Sequence, residues 1–172
     1  MQIRYATAKD VPQLSALFRQ DAEQHQARAG YYTLYRDFEW HTFVKSRLDG
    51  SHGRILVAER NGALAGFVSF KIEAYPPRDG GSVLQRIRRG PRKKPPFPVE
   101  PLRFGLIEQC FVTLPERRQG TGKLLVEAAM KWFKVKKIHR IELSMVARNQ
   151  EAEYFLRHMG FETFRLSFTR DI

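Results

Sequence analysis

Two glycines in the second half of the chain lie where an apolar strand-like stretch meets a helix. Gly120 and Gly122 follow the apolar residues 106–113, and apolar side chains recur at helical spacing from Lys123 onward. Glycine permits a left-handed backbone turn and leaves neighbouring amide groups unshielded. The first N–H groups of a helix have no partner within it, and the helix dipole adds positive potential there. We therefore expect the turn to bind an anion, most simply a phosphate group.

Two common phosphate-binding loops do not match the spacing around this turn. A P-loop requires glycine at the position of Arg117 and serine or threonine at the position of Leu124. A dinucleotide-binding fingerprint requires a third small residue at the position of Leu125. The spacing therefore excludes the nucleotide-hydrolase and Rossmann classes.

The pattern Arg117-x-x-Gly120-x-Gly122, after a strand that ends in Phe-Val, resembles the GNAT superfamily of acyl-CoA-dependent N-acyltransferases. A second stretch, from Asn149 to Phe161, is similar to that family's Asn-x-x-Ala…Phe-Tyr-x-x-x-Gly-Phe helix. The opening Ile-Arg-x-Ala-x-x-x-Asp-x-Pro-x-Leu is a weaker match to the family's first strand and helix. The resemblance touches most of the chain outside residues 75–103.

The resemblance implies a mixed α/β fold and an activity. The fold would be a central, mostly antiparallel sheet with helices on both faces and strands that splay apart near residues 112 and 145. The activity would be direct transfer of an acetyl group from acetyl-CoA to a primary amine in a ternary complex. Asn149 would contact the pantetheine, although an asparagine there would also be a plain helix N-cap in any fold. The residues assigned to acetyl-CoA are Phe111, Val112, Arg117, Arg118, Gln119, Gly120, Thr121, Gly122, Lys123 and Asn149.

Glu108 is the candidate general base, since it is a carboxylate in an otherwise apolar strand. Many GNAT enzymes place a glutamate four residues before the valine that ends this strand, as here. Burial would raise the pKa of such a carboxylate towards a value useful for proton transfer. The alternative is that Glu108 pairs with an arginine or lysine for structural reasons.

The general acid is where the chain departs from the family. Family members often carry a tyrosine at the position of Leu156, to protonate the departing thiolate, and Tyr154 lies about 200° away around the helix. Because a thiol with a pKa of about 8.5 is a fair leaving group, water is a sufficient proton source. Cys110 is expected to be a buried core residue, since no histidine is placed to activate it. The histidines show no zinc-like spacing, so no metal site is expected.

Tyr31, Tyr32 and Tyr35 belong to an aromatic stretch before a predicted helix at residues 38–48. In the family that the chain resembles, this region closes over the acceptor substrate, so the three tyrosines are weak candidates for substrate binding. The alternative, which we favour, is that they pack a loop onto the sheet.

Other local signals predict the remaining elements of one domain over residues 1–172. Thr7 and Asp10 form an approximate capping box before an apolar helical stripe. Asn61-Gly62 suits a two-residue hairpin turn. The predicted strands cover the chain start, residues 54–60, 63–72, 104–113 and 141–146, and a closing strand at 162–168.

Residues 75–103 are a predicted surface loop that is rich in proline, glycine, arginine and lysine. Since the chain carries a net charge of +12, residues 78–94 are a candidate binding segment for RNA, a membrane surface or an acidic protein. A plainly solvated loop is the preferred alternative. The second functional hypothesis is a catalytically weak acyl-CoA-binding protein that docks on RNA or an acidic partner through this loop.

The location and the partners are also expectations. The chain has one cysteine, no long apolar run and no signal-like start, which predicts a cytoplasmic protein without a membrane span. The expected partners are acetyl-CoA and an unidentified amine acceptor, and a homodimer is left open. The sequence does not identify the acceptor.

Overall fold

The computed structural model describes residues 1–30, 33–50, 53–75 and 102–167. Its centre is a five-stranded sheet whose strands lie side by side in chain order. The first four strands are antiparallel to their neighbours, and the fifth is parallel to the fourth. The strands are β1 (Gln2–Tyr5), β2 (Arg54–Arg60), β3 (Ala63–Tyr75), β4 (Leu102–Val112) and β5 (Ile141–Leu143).

Helices pack on both faces of this sheet. Strand side chains alternate between the two faces, so each face has its own apolar cluster. On one face Phe67 stacks on Phe18 at 4.2 Å between ring centroids, and on the other Phe70 meets Phe133 edge-on at 5.3 Å. The predicted mixed fold is confirmed. The helices of the described residues are α1 (Val11–Ala29), α2 (Trp40–Arg47), α3 (Thr121–Val135) and α4 (Gln150–His158).

A β-bulge interrupts β4 at Glu108. Phe70 of β3 pairs with Ile107, whereas the preceding Ser69 pairs with Gln109, so Glu108 is an extra residue on β4. Such a bulge bends the strand and redirects its side chains. The carboxylate predicted to act in catalysis therefore sits where the strand changes direction.

The sheet opens immediately beyond this bulge. β5 pairs with β4 only at residues 105–107, and no strand of the described chain continues β5 beside residues 108–112. Within the described chain, residues 108–112 of β4 therefore have no hydrogen-bonded strand on the side where β5 pairs with residues 105–107. This is the splayed arrangement that the resemblance implied.

The local turn signals are confirmed. Asn61 and Gly62 have φ angles of 52° and 79°, as a type I′ hairpin turn requires. The backbone N–H of Thr7 donates to Asp10 Oδ2 at 2.7 Å and closes the capping arrangement before α1. The predicted helix at residues 38–48 is present as the shorter α2.

The predicted closing strand at residues 162–168 is wrong for the part that the structure describes. Residues 161–167 form no regular element, and β5 ends at Leu143 instead of residue 146. The segment makes a side-chain contact with the residue before β5 instead of backbone hydrogen bonds to a strand. The Arg140 guanidinium lies 3.9 Å from the Phe164 ring centroid. Phe164 and Leu166 are 65% and 70% exposed, so their alternation does not mark a buried face.

The buried carboxylate of Asp10 gives a stability prediction. Arg4 donates to both its oxygens at 2.7 Å, and these hydrogen bonds lower its pKa from 3.8 to about 2. Because the folded-state value is the lower one, this stabilisation is complete above the unfolded value and is lost as pH falls from 3.8 towards 2. Asp10→Asn is expected to lower the free energy of unfolding at pH 7 by about 3 kcal/mol.

Urea unfolding at pH 7 and at pH 2.5 measures this effect, with Glu153→Gln as the control. Glu153 forms an exposed i,i+4 pair with Arg157, which should contribute less than about 1 kcal/mol. An Asp10→Asn variant that is as stable as the wild type at pH 7 would contradict the prediction.

Candidate active site

The turn that leads into α3 has an unusual backbone. Arg118 and Gly120 have φ angles of 60° and 81°, in the left-handed region that few non-glycine residues adopt. The side-chain amide of Gln119 donates to the carbonyl oxygen of Pro115 at 2.7 Å, across the turn. Gln119 therefore holds the turn closed, a structural contribution beside its predicted role at the coenzyme.

The first turn of α3 is suited to bind phosphate. The helix begins at Thr121 with no side-chain cap, and its first internal bond runs from Leu124 N–H to the carbonyl of Gly120 at 3.0 Å. The preceding amide groups therefore have no partner within the helix. Within the described residues, the buried hydroxyl of Thr121 has no hydrogen-bond partner either. Unpaired donors at a helix start fit a pyrophosphate.

Gly122 brings the turn against the end of β4 and against α4. A Cβ atom at this position would lie 3.7 Å from Val112 Cγ2 and 3.6 Å from the Phe155 ring, which is ordinary contact. The start of α3, the open end of β4 and the middle of α4 therefore meet around Gly122. This junction links the phosphate-binding turn to the opening in the sheet.

Arg117 ties this junction to α1. Its Nε donates to the carbonyl oxygen of Val112 at 3.0 Å, and its Nη2 donates to Gln24 Oε1 at 2.7 Å. Its Nη1 lies 3.6 Å from a carboxylate oxygen of Glu151 on α4. Within the described structure Arg117 thus positions the end of β4 with its own hydrogen bonds.

Two other cations of the turn are open to solvent. The side chains of Arg118 and Lys123 are 72% and 63% exposed. Each pairs only loosely with a carboxylate, Arg118 with Glu151 at 3.6 Å and Lys123 with Glu127 at 3.9 Å. Such exposed pairs are weak, so a phosphate could compete for both cations.

Backbone alternation determines which amides of β4 face the opening. Thr113 N–H donates to the carbonyl oxygen of Ala65 on β3 at 2.9 Å. A Cβ added to Gly66 of β3 would collide with the carbonyl oxygen of Phe111, so Phe111 also turns its backbone groups towards β3. Because these groups alternate sides along a strand, those of Cys110 and Val112 face the open edge.

This edge exposes Cys110 as well. The structure corrects the expectation of a buried core cysteine in part, because Cys110 is an exposed residue of β4, although burial of its thiol raises the pKa of that group to about 12. The end of the β5 pairing explains the exposure, since no strand of the described residues lies beside residues 108–112 on that side.

Both oxygens of Glu108 are occupied. Arg47 of α2 lies 2.9 Å from Oε2, and Lys71 of β3 lies 3.0 Å from Oε1, with 17% of the Glu108 side chain exposed. Hydrogen bonds to Glu73 and Glu108 raise the pKa of Lys71. The structure thus shows the ion pairing that the sequence left as an alternative, and the role of Glu108 as base stays a prediction.

α4 presents no tyrosine at the predicted acid position. Leu156 is half-buried, and Tyr154 is 58% exposed with its ring 4.0 Å from that of His158.

Asn149 is the N-cap of α4. Its Oδ1 accepts from Ala152 N–H at 3.3 Å. The contact of Asn149 with the pantetheine stays a prediction.

The acceptor side is described only in part. Tyr35 is 80% exposed, whereas Tyr31, Tyr32 and the basic segment 78–94 lie outside the described residues. The nearby aromatic residues Phe38, Trp40 and Phe43 pack edge-on against one another.

The sequence analysis missed a polar contact between α1 and β4. Gln109 Nε2 donates to Asp21 Oδ2 at 3.1 Å. A signal was present, because Asp21 continues the buried helical stripe of Leu14, Leu17 and Phe18, where an acid is unexpected.

An uncapped helix start beside an opened pair of parallel strands is suited to an acylated coenzyme. The chain belongs to the acetyltransferase (GNAT) family, whose model matches residues 12–161. The protein is therefore an acyltransferase that uses acetyl-CoA.

Solved structures share this fold over essentially the whole chain. A tetramutant of the BH1408 protein from Bacillus halodurans superposes with a TM-score of 0.80 at 18% identity, covering 100% of both chains. A ribosomal-protein-alanine N-acetyltransferase from Brucella melitensis gives 0.67 at 14% identity, again covering 100% of both. Aminoglycoside N-acetyltransferase AAC(6')-Iy in complex with CoA gives 0.68 at 19% identity, covering 99% of this chain and 93% of that one.

The sequence has no significant match among curated proteins. Within the described part of the chain, every helix is too short or too polar to cross a membrane.

Proposed function

We propose that this protein is an N-acetyltransferase that moves the acetyl group of acetyl-CoA directly to a primary amine in a ternary complex. One observation carries the proposal: the unpaired amides at the start of α3 lie beside the open edge of β4. Neighbours of the same fold that are named N-acetyltransferases support the choice of nitrogen as the acceptor atom. We further propose that residues 1–172 form a single domain that acts in the cytoplasm.

The donor half of this site combines the turn and the strand. The amides of Gly120, Thr121, Gly122 and Lys123 would hold the pyrophosphate, with Arg118 and Lys123 adding positive charge. Val112 would line the pantetheine and the acyl group, while Phe111, whose backbone groups turn towards β3 and whose side chain is buried, would support this part of the strand. The Val112 N–H faces the opening and would donate to the developing oxyanion. Losing one such donor typically costs about two to four kcal/mol of transition-state stabilisation.

The acceptor would arrive from the face covered by α1 and α2. The turn and α3 occupy the other face, so an amine reaches the end of β4 past Gln109 and Glu108. A primary alkyl ammonium has a pKa of about 10.4, so a carboxylate on this face must help to remove its proton. Glu108 is the base predicted from the sequence. Water protonates the departing thiolate, because Leu156 stands at the position where family members often carry a tyrosine.

Product analysis with a mixed amine panel tests the proposal. The panel contains kanamycin, spermidine, tyramine and a tetrapeptide with a free N-terminal alanine, and each is incubated with acetyl-CoA and the full chain. The expected result is release of coenzyme A together with a product that has gained one acetyl group. The new bond should resist hydroxylamine, which cleaves acetyl esters and thioesters but leaves amides intact. Acetyl-CoA binding without transfer to any panel amine would contradict the proposed activity.

A further inference from the structure

A carboxylate of α1 lies beside the open end of β4. Asp21 Oδ2 accepts from the side-chain amide of Gln109, the residue that follows the bulge. One turn further along α1, Gln24 accepts from Arg117, which in turn donates to the carbonyl of Val112. These two contacts align α1 with the last residues of β4. They place Asp21 beside Gln109, whose neighbour Cys110 carries one of the two N–H groups that face the open edge.

The environment of Asp21 opposes its ionisation. Burial is the main cause that raises the pKa of Asp21, and the Gln109 hydrogen bond and the charges of His25, Arg28 and Arg117 counteract it only in part. The Cys110 thiol on β4 also interacts with it electrostatically. Within the described chain no ion pair to Asp21 is found, and its hydrogen-bond partner is a neutral amide. A partly buried carboxylate whose hydrogen-bond partner is a neutral amide is costly to the fold and is common where proton transfer is needed.

Glu108 offers a contrast on the same face. Arg47 and Lys71 lie within 3.0 Å of its two oxygens, so protonating it would give up two ion pairs. Protonating Asp21 gives up no ion pair of the described residues, only the longer-range attraction of His25, Arg28 and Arg117. Of the two carboxylates, Asp21 is the one whose surroundings favour uptake of a proton.

We propose that Asp21 accepts the proton of the acceptor amine, while Glu108 orders Arg47 and Lys71 beside it. This inference rests on the proposed N-acetyltransferase function. The ammonium proton passes to solvent, the nitrogen of the neutral amine forms a bond to the acetyl carbon, and the carbon–sulfur bond breaks. The Asp21 carboxylate takes the proton released by nitrogen and returns it through solvent to the coenzyme A thiolate. Atoms and charge then balance with no further reactant.

Asp21→Asn separates this role from a structural one. The asparagine is nearly isosteric and its oxygen can still accept from Gln109, but it cannot take up the proton. We expect Asp21→Asn to lower kcat on a panel amine roughly 100- to 10,000-fold and to remove the acid limb of the pH profile of kcat/KM. Acetyl-CoA affinity should stay within about threefold, because the asparagine keeps the contact that holds α1 on β4. Glu23→Gln, an exposed position on the same helix, is the matched control and should behave as the wild type.

Unfolding provides a readout that needs no acceptor. Because the pKa of Asp21 is raised in the folded state, its ionised form destabilises the fold at pH values above that raised value. Asp21→Asn should therefore be more stable than the wild type at pH 8, and the difference should vanish near pH 3. An Asp21→Asn variant that is less stable than the wild type at pH 8 would refute the electrostatic premise.

The kinetic outcomes are equally decisive. An acid limb that persists in Asp21→Asn, or that disappears in Glu108→Gln instead, would overturn the assignment to Asp21 while leaving the transferase function intact. A wild-type protein that binds acetyl-CoA but acetylates none of the panel amines would overturn the function itself.

Discussion

Replacing Gly120 with glutamate is expected to abolish binding of acetyl-CoA. Gly120 immediately precedes α3 and has a φ of 81°, and a Cβ there would meet no atom within 4 Å, so the new side chain has room to fold over the turn. The added carboxylate would repel the pyrophosphate at the position where unpaired amides attract it, and the left-handed backbone would be strained. Calorimetric titration should show at least a ~100-fold loss of affinity, which corresponds to roughly 3 kcal/mol.

Gly62→Glu is the matched control for this variant. Gly62 has nearly the same φ of 79° and equally open surroundings, but it lies in the β2–β3 hairpin turn. The strain and the added charge are therefore the same in both variants, and only the location differs. Equal losses of acetyl-CoA affinity in both would show that strain is responsible, and unchanged binding by Gly120→Glu would remove the turn from the donor site.

Phe133→Ala is expected to cause the largest loss of stability. Phe133 is completely buried, with ring centroids at 5.3 Å from Phe70 and 5.4 Å from Trp132. Gly105 of β4 packs directly on this ring, since an added Cβ would lie 2.6 Å from it. Removing the ring leaves a cavity under the strands that open towards the site. The expected cost is about 3 to 5 kcal/mol in the free energy of unfolding, measured by urea denaturation.

Val135→Ala on the same helix is the control for Phe133→Ala. Val135 is 78% exposed, so its truncation should change the free energy of unfolding by less than about 0.5 kcal/mol. A loss below about 1 kcal/mol in Phe133→Ala would contradict the packing of α3 against β3 and β4.

Sequence patterns predicted the features that depend on neighbouring residues. The Asn61-Gly62 turn, the glycine turn before α3 and the cap before α1 each follow from a few adjacent side chains, and the structure contains all three. The family resemblance supplied the sheet and its opening, which no single segment encodes.

The contacts that decide the chemistry lie far apart in the sequence. Glu108 is 61 residues from Arg47, and Gln109 is 88 residues from Asp21, so only the folded chain reveals these pairs. The false closing strand has a related cause. Its alternating pattern is local, but a strand needs a ladder partner, and the described segment 161–167 has none.

Backbone amide NMR of the wild-type protein during titration with acetyl-CoA tests the central claim most directly. The account predicts that the largest shifts belong to the N–H groups of Gly120, Thr121, Gly122 and Lys123 and to that of Val112 at the open edge of β4. Amides of β1 and of the Asn61-Gly62 hairpin turn should be unaffected. Saturable binding whose shifts cluster away from the start of α3, or no binding at all, would contradict the proposed donor site.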